Sequence, residues 1–317
     1  MVVNSGTRSN HVFDLVPEWE RFVQTSSMWE VEDIPERIMD HLCRRFPQLA
    51  LPIRRGQRDT PEYRSAVLRG EPVCREPDFI DSPEDMLETV ETPAGKAEIL
   101  YLARREDFEH ALRALAYRCE PVEIPAAVGA STVRGLINWE KIRAHKAEYL
   151  ACGKTDWNEE FKRFTAEKRN YLDTILLLSK GDYSAVPAGF TGLSQEEWTA
   201  KSGVIRKYHE LTHFVCRTLC PHNVEAIRDE VIADAIGLTA AFGCYDARLA
   251  KRFLGIEDGV FHEGGRLSHY AGERNIETAA SEASALIDRL AEYVGSIGKC
   301  AVFDLLMILI REYMNEV

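Results

Sequence analysis

The sequence has no long apolar run, has no excess of basic residues and shows no pattern typical of a secretory leader, and each of these features argues against a class of protein. The most apolar stretch, residues 301–310, contains Asp304 and is too short to span a bilayer. The net charge of −12 argues against nucleic acid or an anionic membrane as a partner, because both bind basic surfaces. The first eleven residues are polar, with no positively charged head before an apolar run, so we expect a cytoplasmic protein.

The cysteines are not arranged in pairs. All 8 are scattered along the chain without a CxxC spacing, so we expect free thiols in a reducing compartment rather than disulfides. Cys216 and Cys220 are four residues apart and could share a metal ion. We interpret them instead as small apolar residues that fill the core, since free cysteine is commonly buried.

One motif carries most of the chemical information, His209-Glu210-Leu211-Thr212-His213. On a helix, residues four apart lie one above the other, so both imidazoles can bind one metal ion. Glu210 lies about 100° further round and can reach a water on that metal. This is the HExxH arrangement of two zinc ligands and a general base. The sequence predicts a helix here, with a capping box at 194–197 and a stop at Pro221.

A second helix is predicted over Asn223–Phe242, and it offers the remaining ligand. Glu230 and Asp234 are four residues apart beside apolar neighbours, so both carboxylates are expected to enter the interior. Glu230 can complete the ligand set, and Asp234 can accept a ring N–H from a ligand histidine. The alternative is a solvated acidic face that also contains Asp229.

With these motifs, residues 203–243 resemble the gluzincins, the thermolysin-like clan of zinc metallopeptidases, whose HExxH is followed by a glutamate and, four residues later, an aspartate. The resemblance implies that His209, His213 and Glu230 bind Zn²⁺, that Glu210 is the base, and that Asp234 orients a histidine. It therefore predicts a zinc-dependent hydrolase that cleaves a peptide or other amide bond. The rest of the chain matches no subfamily, so the substrate does not follow.

Gluzincins steady the transition state with a His, Tyr or Arg from well downstream of the ligand glutamate. The loop 260–272 has four such residues between glycines, and we rank them Tyr270, Arg266, His269 and His262. Tyr183 is the next candidate. The alternative is a solvated glycine loop with no such role.

The expected fold is α+β and predominantly helical, with an HExxH helix and a glutamate helix beside a small β-sheet. Residues 1–95 are predicted to form a helical and proline-rich N-terminal region, and 96–317 a catalytic domain. Because proline is excluded from helix interiors, we expect 47–93 to be irregular and either to cover the cleft or to be disordered around 56–71. Residues 129–139 are a candidate edge strand for pairing with substrate, by analogy with gluzincins; a buried loop is the alternative. Further predicted strands are Ala97–Ala103 and Val122–Val128, and further predicted helices are Val16–Gln24, Ile34–Phe46, Arg105–Cys119, Trp139–Ala151, Asp156–Ser179, Leu249–Leu254, Ile276–Gly295 and Lys299–Val317.

Two other functions remain open at this point. A deformylase or amidase with the same helix motif could take Cys152 or Cys119 as ligand in place of Glu230. A non-catalytic, zinc-stabilised interaction module could use Cys216, Cys220 or His222, since structural zinc sites are closed and rich in cysteine. An intact Glu210 favours catalysis, because a structural site has no use for a base. The expected partner is a peptide or amide-containing substrate, and the oligomeric state stays open.

Overall fold

A computed structural model describes residues 37–221 and 225–314 of the chain. It is an α+β protein with more helix than strand, as predicted. The described helices are α1 Ile38–Arg45, α2 Pro61–Arg69, α3 Arg105–Leu115, α4 Trp139–Ala151, α5 Trp157–Ala166, α6 Ala188–Thr191, α7 Gln195–Leu219, α8 Ala226–Phe242, α9 Ala247–Leu254, α10 Ile276–Ile297 and α11 Val302–Leu309. The strands are β1 Met86–Thr92, β2 Gly95–Leu102, β3 Ala130–Ile137, β4 Leu172–Ser179, β5 Ile256–Glu257 and β6 Val260–Phe261. The predicted helix Val16–Gln24 lies outside the described residues.

Four strands form the main sheet, in the order β1-β2-β4-β3. β1 and β2 are an antiparallel hairpin, β2 and β4 are parallel, and β3 runs antiparallel to β4. β3 is therefore an edge strand, which confirms the strand predicted within 129–139. β5 and β6 pair separately as a short hairpin.

Both faces of this sheet are covered. Along β4, Leu176 and Leu178 face the core formed with α7 and α8, whereas Ile175 and Leu177 face a second core formed with α1, α2 and α3. Successive side chains of a strand point to opposite faces, so a continuous apolar run is what a central strand with two covered faces requires. The helix predicted over Asp156–Ser179 is therefore wrong in its second half, because a short apolar run does not distinguish a buried strand from a buried helix.

The proline-rich segment 47–93 is irregular over residues 70–85, but the prediction is wrong for its helical segments and for β1. Pro47 and Pro61 each begin a helical segment, where the missing N–H is not needed. Leu49 and Phe79 are buried in the second core, on the sheet face away from α7. Apart from β1, the described part of this segment lines that face and does not cover the HExxH helix. The predicted boundary at 95/96 falls inside β2, directly after the turn at 93–94, so residues on both sides of it belong to one sheet.

The strand predicted over Val122–Val128 is also wrong, since the described backbone there is irregular. Arg105 and Arg113 of α3 donate to carbonyl groups of this segment, including those of Val122 and Val128. Side-chain donors thus satisfy backbone groups that a strand would have satisfied within a sheet.

The C-terminal helices complete the first core. Residues 301–310, predicted to form a core helix, contain α11, whose Leu305, Leu306 and Leu309 are buried. Within the described part of the chain, no helix combines the length and the apolar character needed to cross a membrane.

The HExxH helix α7 and the glutamate helix α8 are in unusually close contact. The capping box predicted at Ser194 and Glu197 starts α7, and Glu225 caps α8. A Cβ placed on Gly237 of α8 would lie 2.8 Å from the backbone oxygen of Ile205 in α7. Glycine is therefore required at this crossing, and the close approach brings the polar residues of the two helices together.

Candidate metal centre

Three side chains from α7 and α8 converge on one point. The Nε2 atoms of His209 and His213 lie 3.0 Å apart. Glu230 Oε2 is 3.4 Å from His209 Nε2, and Glu230 Oε1 is 3.2 Å from His213 Nε2. The three side chains are buried, and they form the one group of potential metal ligands among the described residues. The ligand set predicted from the sequence is thus gathered in space.

The spacing of these atoms, 3.0–3.4 Å, is close to that of ligands around a metal ion. With bonds of about 2.0–2.2 Å and tetrahedral angles, two neighbouring zinc ligands lie about 3.3–3.6 Å apart. Each imidazole also has a carboxylate against its Nδ1 atom, which places the proton on Nδ1 and leaves a lone pair on Nε2. Two such lone pairs facing each other at 3.0 Å would repel, so either a shared proton or a cation must lie between the two nitrogens. Glu230 Oε2 is buried without a hydrogen-bond partner among the described residues, which fits the same requirement.

Asp234 holds His209, as predicted. Its Oδ1 atom is 3.0 Å from His209 Nδ1, and it also accepts a hydrogen bond from the Tyr183 hydroxyl at 2.7 Å. Arg266 donates to both oxygens of Asp234, at 2.9 and 2.6 Å. Burial works to raise the pKa of Asp234, but Arg266 and His209 outweigh it and lower the pKa below its usual value. Asp234 is therefore an anion with a fixed orientation.

Asp229 occupies the corresponding position on the other histidine, and sequence reasoning missed it. Its Oδ2 atom lies 2.8 Å from His213 Nδ1, a close ion-pair contact that is too bent for a well-aligned hydrogen bond. Arg217, one turn further along α7, donates to the same oxygen at 3.4 Å. Asp229 is only 2% exposed, so the alternative of a solvated acidic face is wrong.

The centre has an excess of negative charge. Glu210, Asp229, Glu230 and Asp234 are all buried, and the guanidinium groups facing them are those of Arg266 and the half-exposed Arg217. An uncompensated buried carboxylate is costly. Without a cation, protons on the imidazoles offset this charge: burial alone would lower the pKa of His213, yet Glu230 and Asp229 raise it to about 10. A divalent cation among these groups would balance the charge.

The loop that carries Tyr183 also supports the centre, and the sequence did not predict this role. The Tyr183 hydroxyl is 2.8 Å from His209 Nδ1, and burial raises the pKa of this phenol well above its usual value. Ser184 and Ala185, the next two residues, both have positive φ angles of 53° and 56°. Such angles in non-glycine residues cost free energy and tend to occur at functional sites. Arg206 of α7 fixes the loop by donating to the carbonyls of Gly181 and Asp182, each at 2.6 Å.

Glu210 lies outside the three-residue ligand group but is held beside it. The hydroxyl of Thr132 on the edge strand β3 donates to Glu210 Oε2 at 2.6 Å. One carboxylate oxygen is thereby oriented, and Oε1 is left for another partner. The sequence offered no signal that Thr132 is the residue that holds Glu210.

The four residues predicted from the loop 260–272 lie in different surroundings. Tyr270 is mostly buried and its hydroxyl faces Glu230; burial is the main reason that its pKa is raised. Arg266 is at the centre, but its two terminal nitrogens face Asp234, Tyr183 and Glu230. His262 and His269 are exposed. Of these four residues, Tyr270 is therefore the one that lies near the ligands and is not bound to Asp234.

None of the described cysteines joins the ligand group. Cys119 is buried in the second core, behind the sheet, and Cys152 is exposed at the end of α4. Cys216 packs in the core with α7 and α8, as expected of an apolar filler. His222 lies outside the described residues. The geometry thus favours Glu230 over a cysteine as the third ligand.

Comparison with known proteins gives a family and no activity. Residues 4–300 match the model of a family of unknown function, DUF7005. Neither the curated proteins nor the solved structures that were searched include a match to the chain.

Proposed function

The chain belongs to the DUF7005 family, whose function is unknown, and from its own residues we propose that it is a zinc-dependent hydrolase of the gluzincin type that cleaves a peptide or other amide bond. His209, His213 and Glu230 would hold the zinc ion. The observation that carries the proposal is the convergence of His209 Nε2, His213 Nε2 and the Glu230 carboxylate within 3.4 Å of one another, with both Nδ1 atoms against aspartates.

Zinc, when bound by such residues, acts as a Lewis acid on a carbonyl oxygen and makes water more acidic. Glu210 then serves as the general base. Thr132 fixes one of its oxygens, so the other can accept a proton from the attacking water. The same carboxyl group then delivers that proton to the departing nitrogen.

Tyr270 is the residue best suited to donate a hydrogen bond to the carbonyl oxygen as negative charge develops there. Its hydroxyl is next to Glu230, and its raised pKa keeps it protonated at neutral pH. A donor of this kind acts on the transition state more strongly than on the substrate.

Arg266 has a different role in this proposal from the one expected from the sequence. Its guanidinium is bound to both oxygens of Asp234, so it positions the aspartate that orients His209. Tyr183 supports the same aspartate. Both are therefore positioning residues. Their loss is expected to lower the affinity for the metal more than the rate of the chemical step.

The edge strand β3 supports an extended substrate. It pairs with β4 on one side and is unpaired on the other, as far as residues 37–221 and 225–314 are concerned. A peptide added to such an edge gains main-chain hydrogen bonds and alternating side-chain contacts. Because Thr132 of β3 holds Glu210, such a peptide would pass the catalytic base.

The test is Glu210→Gln in zinc-loaded protein. A peptide library and a set of N-formyl and N-acyl amides are incubated with wild type and variant, and products are identified by mass spectrometry. We expect hydrolysis by the wild type, a loss of about 10²–10⁴-fold in the variant, and unchanged zinc content. Glu196→Gln, an exposed glutamate at the start of α7, is the matched control and should keep full activity. Equal rates for Glu210→Gln and wild type would refute the assignment.

A further inference from the structure

An arginine without a carboxylate partner lies on β3, two residues after Thr132. Arg134 donates to the backbone oxygens of Phe214 and His213, at 3.3 and 3.5 Å. Its guanidinium carbon lies 5.6 Å from the centre of the Phe214 ring. No ion pair within 4.0 Å is formed by Arg134 with any described residue, unlike Arg217 and Arg266, which each face an aspartate.

The surroundings of Arg134 make this unusual. The residue is exposed, and a second guanidinium, that of Arg217, lies nearby; partial desolvation first and then Arg217 lower the pKa of Arg134. Two neighbouring cations repel, and the net charge of the whole chain is −12, so acidic residues are not scarce. A cation left without an anion in an acidic protein is a feature that binding of an anion would explain.

The position of Arg134 relates it to the metal centre. Thr132 and Arg134 point to the same face of the sheet, because side chains alternate along a strand. Thr132 binds the base Glu210, while Arg134 contacts His213, a ligand, through its backbone. Residues two apart on a strand are separated by about 6.6–6.8 Å. This is the length of about two residues of an extended peptide lying along β3.

A cavity at the end of the sheet comes close to Arg134, although Arg134 is not one of its lining residues. Phe214, under the guanidinium, also lines a cavity of about 620 Å³. Thr174, the β4 residue paired with Arg134, is in the same wall. A ligand that passes Glu210 along β3 therefore reaches Arg134 beside Phe214, which lines this cavity.

We propose that Arg134 is a specificity-determining residue that binds a carboxylate of the substrate, about two residues along the peptide from the bond that is cleaved. The inference rests on the proposed function. The carboxylate belongs either to a peptide C-terminus or to an acidic side chain, since a guanidinium binds both in the same way.

The experiment uses zinc-loaded full-length protein and short peptide hydroxamates, which bind zinc and are not hydrolysed. Four ligands share one backbone: one with a free C-terminus, one with a C-terminal amide, and two amidated forms with Glu or Gln at the residue before the C-terminus. Affinities are measured by calorimetry. We expect one carboxylate ligand to bind roughly 10- to 100-fold more tightly than its neutral counterpart, which identifies the source of the carboxylate.

Arg134→Gln should abolish this ratio while leaving zinc content and the affinity of the neutral ligands unchanged. Arg134→Lys, which keeps the charge but loses the planar fork, should retain part of it. Arg169→Gln, at an exposed arginine that pairs only loosely with Glu167, is the control and should leave the ratio unchanged.

Three results would overturn the inference, and they can be distinguished. If carboxylate and neutral hydroxamates bind wild type equally, the inference is wrong and the proposed function stands. If Arg134→Gln keeps the full ratio, the carboxylate binds elsewhere. If zinc-loaded wild type binds no hydroxamate at all, the proposed function fails, and the inference fails with it.

Discussion

Asp229 and His213 are in contact between neighbouring helices, with Asp229 Oδ2 2.8 Å from His213 Nδ1. Asp234 and His209 form the equivalent contact at 3.0 Å. Each candidate ligand histidine therefore has its own aspartate on the side away from Glu230. A carboxylate in this position fixes the ring and makes the other nitrogen a better ligand.

The first prediction concerns this symmetry. Asp229→Asn and Asp234→Asn should each weaken zinc binding by about 10- to 100-fold, because each removes the negative charge that orients one ring. Affinity is measured by competition with a chromophoric chelator. Asp288→Asn, at a surface aspartate paired with Lys251, should have no effect. A normal zinc affinity in Asp229→Asn would show that the His213 contact is not used.

The sequence contained a signal for Asp229 that the helical-face argument overlooked. Asp229 and Glu230 are adjacent and so point about 100° apart, which is the width of a typical apolar face, so a one-sided helix would leave at least one of them at its edge. Yet α8 is apolar around its whole circumference, and such a helix is enclosed on all sides. In an enclosed helix, both acids must face partners. The HExxH and ExxxD spacings, by contrast, each place two side chains on the same face of a single helix. The candidate ligands and Asp234 could therefore be predicted directly from the sequence.

The second prediction separates Tyr270 from Arg266. Tyr270→Phe should lower kcat by about 10²–10³-fold with unchanged zinc content, because it removes a hydrogen bond made to the transition state. Arg266→Gln should instead lower zinc affinity, since Asp234 loses its two hydrogen bonds from the guanidinium. Zinc titration and steady-state kinetics on the substrate found with wild type are the two measurements. The roles are wrong if Arg266→Gln retains normal zinc affinity or if Tyr270→Phe retains normal kcat.

The third prediction tests the helix crossing. Gly237→Ala should reduce the free energy of unfolding by about 1–3 kcal/mol, because the new methyl group meets the Ile205 carbonyl oxygen and forces α7 and α8 apart. Gly203→Ala is the matched control, since a Cβ on this α7 glycine meets no atom within 4 Å of it. It should be neutral or stabilising by up to about 1 kcal/mol. Urea unfolding measures both. Equal stability of the two variants would contradict the close packing.

The remaining elements of the centre depend on contacts between residues far apart in the sequence, and no local pattern gives them. Thr132 meets Glu210 because β3 is an edge strand beside α7. Tyr183 meets Asp234 because Arg206 holds its loop against α7. The position of the proline-rich segment could not be predicted for the same reason. Prolines at 47 and 61 predicted irregular structure, but each only begins a helical segment that packs behind the sheet.

The fourth prediction concerns pH and a charged cluster behind the sheet. Burial works to raise the pKa of Asp173, but hydrogen bonds from Lys141, Arg45 and Asn138 outweigh it and lower the pKa. A lowered pKa in the folded state adds stability that is present above the unfolded value of about 3.9 and is lost as the pH falls through the folded pKa.

Wild type should therefore be more stable than Asp173→Asn at pH 7, and the difference should shrink below about pH 4. Urea unfolding of both proteins between pH 2 and 7 measures it. Asp59→Asn, whose carboxylate is exposed, should match wild type throughout. A difference between wild type and Asp173→Asn that is the same at every pH would show that the charge of Asp173 is not what stabilises the cluster.

The most direct test of the central claim is the metal content of purified full-length protein. It is measured by elemental mass spectrometry in wild type, Glu230→Gln and Glu210→Gln. The account predicts one zinc ion per chain in wild type, a sharp loss in Glu230→Gln, and full retention in Glu210→Gln. His209→Ala and His213→Ala should lose zinc as Glu230→Gln does, and circular dichroism checks that every variant is folded. Wild type that binds no zinc, or a folded Glu230→Gln that keeps all of it, would contradict the account.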